Sequence, residues 1–218
     1  MFKKILIFVL ILTIQISSPI FASTSMDYLA NQSLINQFNN YRSLAMVTKA
    51  LSTMGVDTTS LQNKLSFVNA EQDLRTHAFR LLAKSNLDIA ETFTANQTYN
   101  GSWNNDIYLT GLITYVLRET GFEANTAQNG ANYLRNHPND DGGWGNNGTS
   151  GPMDTALALM ALKKSNYNDD ITQKGFQWLL LHQGGEGGWG NHINTAWACL
   201  ALHELGTNPD ELEKAVNY

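Results

Sequence analysis

KGFQWLLLHQGGEGGW, residues 174–189, is an amphipathic run that ends in a glycine-rich turn closed by tryptophan, and the chain carries related copies of it. Residues 130–145, GANYLRNHPNDDGGWG, and residues 175–190, GFQWLLLHQGGEGGWG, share a starting glycine, a leucine at the fifth position (Leu134, Leu179) and a histidine at the eighth (His137, His182). Both end Gly-Gly-Trp-Gly, and their tryptophans, Trp144 and Trp189, are 45 residues apart. A weaker copy ends at Gly101-Ser102-Trp103, 41 residues before Trp144. After each tryptophan a second run starts on a related triplet: Leu109-Thr110-Gly111, Asp154-Thr155-Ala156 and Asn194-Thr195-Ala196. Self-similarity at such a period marks a repeat architecture, in which each unit buries its apolar face against the next.

Each unit reads helix, turn, helix. Residues 154–164, DTALALMALKK, are strong helix formers with apolar positions around nearly the whole circumference, so that helix should be buried on all sides. Residues 169–182 are more amphipathic, which places them at the periphery. Alternation of central and peripheral helices implies two concentric rings. The pattern predicts helices near 27–38, 41–54, 59–69, 72–84, 87–96, 106–119, 125–136, 153–164, 170–182 and 194–205, with no strand of useful length. Gly55, Gly121 and Gly206 fall at C-cap positions, and Pro138 stops the seventh helix. Asn208, Pro209, Asp210 and Glu211 have the residue types of a helix start, so an eleventh helix is expected there. A closed ring of six pairs would need twelve helices, so the expected ring is incomplete: a fragment, a truncated reading frame or an open solenoid.

Residues 1–22 combine Lys3 and Lys4, an apolar stretch over 5–16, Pro19 and a small residue at Ala22, the order of a secretory signal peptide. The chain is expected to be secreted or extracytoplasmic, with residues 23–218 forming the repeat domain and no membrane span after cleavage. A net charge of −5 without clustered Lys and Arg argues against a nucleic-acid surface. Cys199 is the single cysteine, so no internal disulfide can staple the domain. An open ring would expose an apolar edge, which implies homo-oligomerisation through that edge.

Lys174, Gly175, Gln183, Gly187 and Trp189 make residues 174–189 closely resemble the QW motif of squalene and terpenoid cyclases, with related repeats in protein prenyltransferase β-subunits. The copy ending at Trp144 keeps Gly130 and Gly143 but has Pro138 at the position of Gln183. The resemblance implies an all-α, α/α-toroid fold with inner and outer helix rings. It also implies that the motif glutamine hydrogen-bonds across to an adjacent helix end, which Gln183 can do and Pro138 cannot. Trp103, Gly143, Trp144, Gln183, Gly188 and Trp189 are therefore read as structural turn residues, the tryptophans being plugs between neighbouring repeats.

The catalytic residues of these families do not carry over. At the cyclases' Asp-x-Asp-Asp stretch the chain has Gly151, Pro152, Met153 and Asp154, so the proton-donor position is a methionine. At the prenyltransferases' zinc ligands it has Asp154, Ala156 and Asn194, one ligand of three. No catalytic residue, metal or cofactor is expected on this reading. His77, His137, His182, His192 and His203 are scattered, and the 139–142 turn is read as solvated Asn and Asp turn chemistry. Asp154 is read first as an N-cap and second as part of a ligand rim where inner-helix N-termini converge, shared with Asn194, Tyr108, His77 and Ser43. The leading expectation is an exported, non-catalytic repeat protein that binds an unidentified ligand or protein partner in the toroid mouth. The alternatives are a terpenoid cyclase or prenyltransferase-type enzyme whose acids lie outside this chain, and a structural module of a larger surface protein.

Overall fold

The computed structural model describes residues 41–53, 57–67, 73–84, 86–207 and 212. The 1–22 leader, the expected 27–38 helix, Gly55 and the helix after Asn208 lie outside the described residues. The described residues form α1 (Tyr41–Thr53), α2 (Thr59–Phe67), α3 (Leu74–Ala83), α4 (Leu87–Asn96), α5 (Ile107–Thr120), α6 (Ala124–Arg135), α7 (Pro152–Lys164), α8 (Asp170–Leu181) and α9 (His192–Glu204), with a short 3₁₀ turn at Asn146–Gly148 and no strand. Every expected helix that falls on described residues is present, with boundaries shifted by two residues or fewer. The chain divides into two compact units, 1–89 and 90–218.

In the first unit α1 packs on α2 and α3. Leu44, Ala45, Val47, Leu61, Leu65, Ala78, Phe79, Leu81 and Leu82 form its core. Asp73 caps α3 by accepting from the Thr76 N–H at 2.8 Å.

In the second unit α5, α7 and α9 lie side by side as the inner layer, and α6 and α8 cover them. Thr155 to Leu162 of α7 are all buried, as its unbroken apolar circumference requires. The three inner helices are parallel. At their C-terminal ends Lys164 of α7 bridges Glu119 of α5 at 3.0 Å and Glu204 of α9 at 3.3 Å. At the opposite end the Asn146 side chain, just before α7, accepts from the Ile107 N–H that opens α5. α5 and α7 approach closely because Gly111 has no side chain: a Cβ there would lie 3.0 Å from Leu157 Cβ.

The tryptophans lock this arrangement. Trp103, Trp144 and Trp189 are almost wholly buried. Each indole N–H donates to the carbonyl ten residues earlier: Phe93 at 2.9 Å, Leu134 at 2.7 Å and Leu179 at 2.8 Å. Each tryptophan backbone N–H donates to the hydroxyl of a threonine in the following inner helix: Thr110 at 3.1 Å, Thr155 at 2.9 Å and Thr195 at 2.9 Å. One residue thus ties the end of an outer helix to the start of the next inner one. For Trp103 and Trp144 the ring edge then meets the following outer helix at a glycine. A Cβ on Gly130 would lie 3.0 Å from the Trp103 ring, and one on Gly175 would lie 2.3 Å from the Trp144 ring. Trp103 and Trp144 are therefore seams between neighbouring repeats.

The conformational demand in the turns falls on the glycine two positions before each tryptophan. Gly101, Gly142 and Gly187 have φ of 92°, 87° and 89°. Gly143 serves a different need: a Cβ there would sit 2.9 Å from Trp178 and 2.7 Å from Ser150. Ser102 is accommodated at the matching position of the earlier turn, where the facing aromatic is Tyr133 and the two side chains are hydrogen-bonded.

Gly175→Ala is expected to destabilise the protein by about 1–3 kcal/mol, because the added methyl must displace a buried indole. Gly185→Ala, where a Cβ meets nothing within 4 Å, should be close to neutral. Urea unfolding of the two variants followed by tryptophan fluorescence reads the difference directly.

Candidate functional site

The N-terminal turns of α5, α7 and α9 gather three of the expected rim residues at one end of the inner layer: Tyr108, Asp154 and Asn194. Asp154 and Asn194 occupy the same helical position, the third residue, immediately before the threonine that holds the tryptophan. His77 belongs to α3 of the first unit, and the side chain of Ser43, in α1, lies outside the described residues.

Asp154 is not the N-cap of its helix. Gly151 holds that position and makes no side-chain cap, with Pro152 next. The capping role went to Asp106 in α5, Asp169 in α8 and Asn191 in α9, each accepting from the N–H three residues on. Relieved of capping, the Asp154 carboxylate folds back over Gly151, where a Cβ would meet its oxygen at 3.2 Å. It accepts no hydrogen bond from the described residues and is half-buried, and burial followed by repulsion from Asp106 pushes its pKa up to about 6. Asp106 itself is well served, taking the Leu109 N–H at 2.6 Å and the Asn146 amide at 3.1 Å. The site is thus a pair of neighbouring carboxylates, one satisfied and one not. Two acids disfavour an anion here despite the helix dipole; a cation or a hydrogen-bond donor fits the place left at Asp154.

At the other end of the inner layer a cation stands between the acids. Burial works against the Lys164 ammonium, but Glu119 and Glu204 outweigh it and raise its pKa. Tyr115, buried beside those two glutamates, has its phenol pKa raised by burial and by their charge.

The turns are structural in detail. His137 stacks on Tyr133 at 4.0 Å and His182 on Trp178 at 3.9 Å, each bonded through Nδ1 to the backbone carbonyl of the residue whose ring it covers. Gln183 donates to the Gly187 carbonyl at 2.8 Å, inside its own turn. Gln97, six residues before Trp103 as Gln183 is before Trp189, makes both the turn bond to Gly101 and a bond across to the Thr126 carbonyl of the next outer helix. The 97–103 spacing is readable in the sequence, but the weak match around it hid this residue. Where Pro138 replaces the glutamine, Asp141 takes over. Its carboxylate accepts from the Ser150 hydroxyl at 2.6 Å, the Gly143 N–H at 3.0 Å and the Trp178 indole of the next outer helix at 2.8 Å. Burial opposes its charge, but these donors and His182 hold its pKa below the usual value. The 139–142 turn is therefore more than solvated turn chemistry. Cys199 is buried inside α9, and burial raises its pKa to about 12, so its thiol stays protonated at neutral pH.

No protein-family model matches the chain, and no curated protein matches it. Among solved structures it is similar to ent-copalyl diphosphate synthase from Streptomyces platensis, with a TM-score of 0.72 at 16% sequence identity, over 94% of this chain and 50% of that one. With the helical architecture of the described residues, this shows an α/α-toroid fold. The chain spans about half the length of that structure, and at this identity the likeness is one of fold.

A carboxyl whose folded pKa lies above its unfolded value stabilises the folded state most when protonated. The contribution of Asp154 is therefore fully present below about pH 4 and is lost as the pH rises through about 6. Asp154→Asn should remove this fall and raise stability at pH 7 by about 1–2 kcal/mol, allowing for solvent screening of a partly exposed group. Urea unfolding of parent and variant between pH 4 and 8 checks this; parallel profiles would place the Asp154 carboxyl in ordinary water.

Proposed function

We propose that this chain is an exported, terpenoid cyclase-like repeat protein that does not itself start a cyclisation, and that binds a ligand carrying a cation or hydrogen-bond donor at the N-terminal end of α7. The observation that supports it is the state of Asp154. Protonating an alkene requires an acid whose conjugate base is stabilised by donors, and which is still protonated at working pH. Asp154 has neither property. Its anion receives no hydrogen bond from the described residues and faces Asp106, and a pKa of about 6 leaves it mostly ionised at pH 7. Met153 precedes it and carries no proton to give. An unsatisfied, half-buried carboxylate suits recognition of a donor instead. The resemblance of the tryptophan turns to the QW motif belongs to the same reading: their residues bond to one another and to neighbouring helices, as structural seams would.

A second reading is favoured by one fact, that the chain spans half of a structure named as an ent-copalyl diphosphate synthase. On it, the chain is one part of an enzyme whose catalytic acids are supplied elsewhere.

Incubation of the protein with squalene and with geranylgeranyl diphosphate should yield no cyclised product by gas chromatography and mass spectrometry; product that disappears in Asp154→Asn would replace the binding reading with the enzymatic one. Spermidine, a soluble polycation, should bind in calorimetry and lose about tenfold in affinity on Asp154→Asn, since a charge-assisted contact is worth roughly 1.5–3 kcal/mol.

A further inference from the structure

We propose that a cleft at the C-terminal end of α3, within the first unit, is a binding site for a phosphoryl oxyanion. A cavity of about 110 Å³ opens there, lined by Tyr41, Gln62, Leu65, Arg80, Lys84 and Asn86 together with Ile89. This is well beyond the ~10–15 Å³ that a single water needs.

The polar groups that meet in this cavity are mostly donors. Arg80 lies in the last turn of α3, and Lys84 is its C-cap. The helix dipole favours cations at this end, which accounts for part of their placement. It does not account for the rest of the lining. Tyr41 is hydrogen-bonded to Arg80; a guanidinium can only donate, so the phenol oxygen accepts and the phenol hydrogen is left for another acceptor. The Asn86 side-chain oxygen is used by the Ile89 N–H at 3.2 Å, which leaves its two amide hydrogens. No carboxylate lines the cavity. Neither Arg80 nor Lys84 takes part in an ion pair among the described residues. In a chain of net charge −5, two cations without an acid beside a phenol and an amide form a local positive centre whose donors want one acceptor.

A planar guanidinium and a compact ammonium together match a tetrahedral oxyanion: the first can bind two of its oxygens, and the second acts as a point charge. Leu65 and Ile89 add apolar walls, which suit the carbon side of a phosphate monoester. The ligand class is therefore a phosphomonoester, with inorganic phosphate as its minimal form. Soluble metabolites and anionic lipid headgroups both present this chemistry.

Calorimetric titration of the full chain with inorganic phosphate and with glycerol 3-phosphate tests the site. Both should bind, the monoester more tightly, and acetate should bind at least about tenfold more weakly. Lys84→Gln changes an exposed side chain and is not expected to perturb folding. It and Arg80→Gln should each weaken phosphate by about tenfold, with unchanged circular dichroism and thermal midpoint for Lys84→Gln. Tyr41→Phe should weaken it by several-fold. Sedimentation with phosphatidic acid vesicles separates the sources: co-sedimentation lost in Lys84→Gln assigns a headgroup, and binding of the soluble monoester alone assigns a metabolite. No heat with either phosphate ligand at about 10 mM, or equal affinity in the parent and in Lys84→Gln, overturns the proposal.

Discussion

The structure of the second unit depends on one contact made three times: a buried indole N–H donating to the carbonyl ten residues before it. A tryptophan taken out of water must place that hydrogen, and the carbonyl it finds lies in the last turn of the preceding helix, where carbonyls have spare acceptor capacity. The same residue's backbone N–H is taken by a threonine hydroxyl of the next inner helix. Two donors on one residue thus set where an outer helix ends and where an inner helix begins. The chain between them varies in length: the threonine follows by seven residues at Trp103, eleven at Trp144 and six at Trp189. The turn can absorb insertions because the tryptophan, not the loop, carries the geometry.

Small residues complete the seam. The indole edge can only reach the following repeat where a helix offers glycine, as at Gly130 and Gly175, and each of these stands twenty residues after the threonine of the preceding inner helix. Facing Gly130 is Thr114, buried and without a hydrogen-bond partner for its hydroxyl. Facing Gly175 is Leu159 at the same helical position, which fills the site with carbon instead. The repeats share a packing scheme while differing in how well they satisfy it.

The ends of the inner layer are electrically unlike. At the C-terminal end one ammonium sits between two carboxylates and three helices are tied together. At the N-terminal end two carboxylates stand near each other, and Asp154 has no donor among the described residues. An asymmetry of this kind is costly to keep in a purely structural module, because a desolvated carboxylate weakens the fold at neutral pH.

The sequence by itself determined the repeats, the helices and nearly all their ends, because glycine, proline and Ncap chemistry act within a few residues of where they stand. It also determined which helix is innermost, since the apolar circumference of residues 154–162 leaves no face for water. It could not assign Asp154. An aspartate before a helical run reads as a cap, and only the fold shows that Gly151 took that position while Asp106, forty-eight residues earlier in the chain, came close enough to raise its pKa. Nor could it show that Asp141 does for one turn what Gln97 does for another, or that Arg80 and Lys84 meet Tyr41 around a shared cavity. Local rules set the backbone of each segment, whereas desolvation, charge repulsion and donor–acceptor matching depend on distances through space, which the folded chain alone supplies.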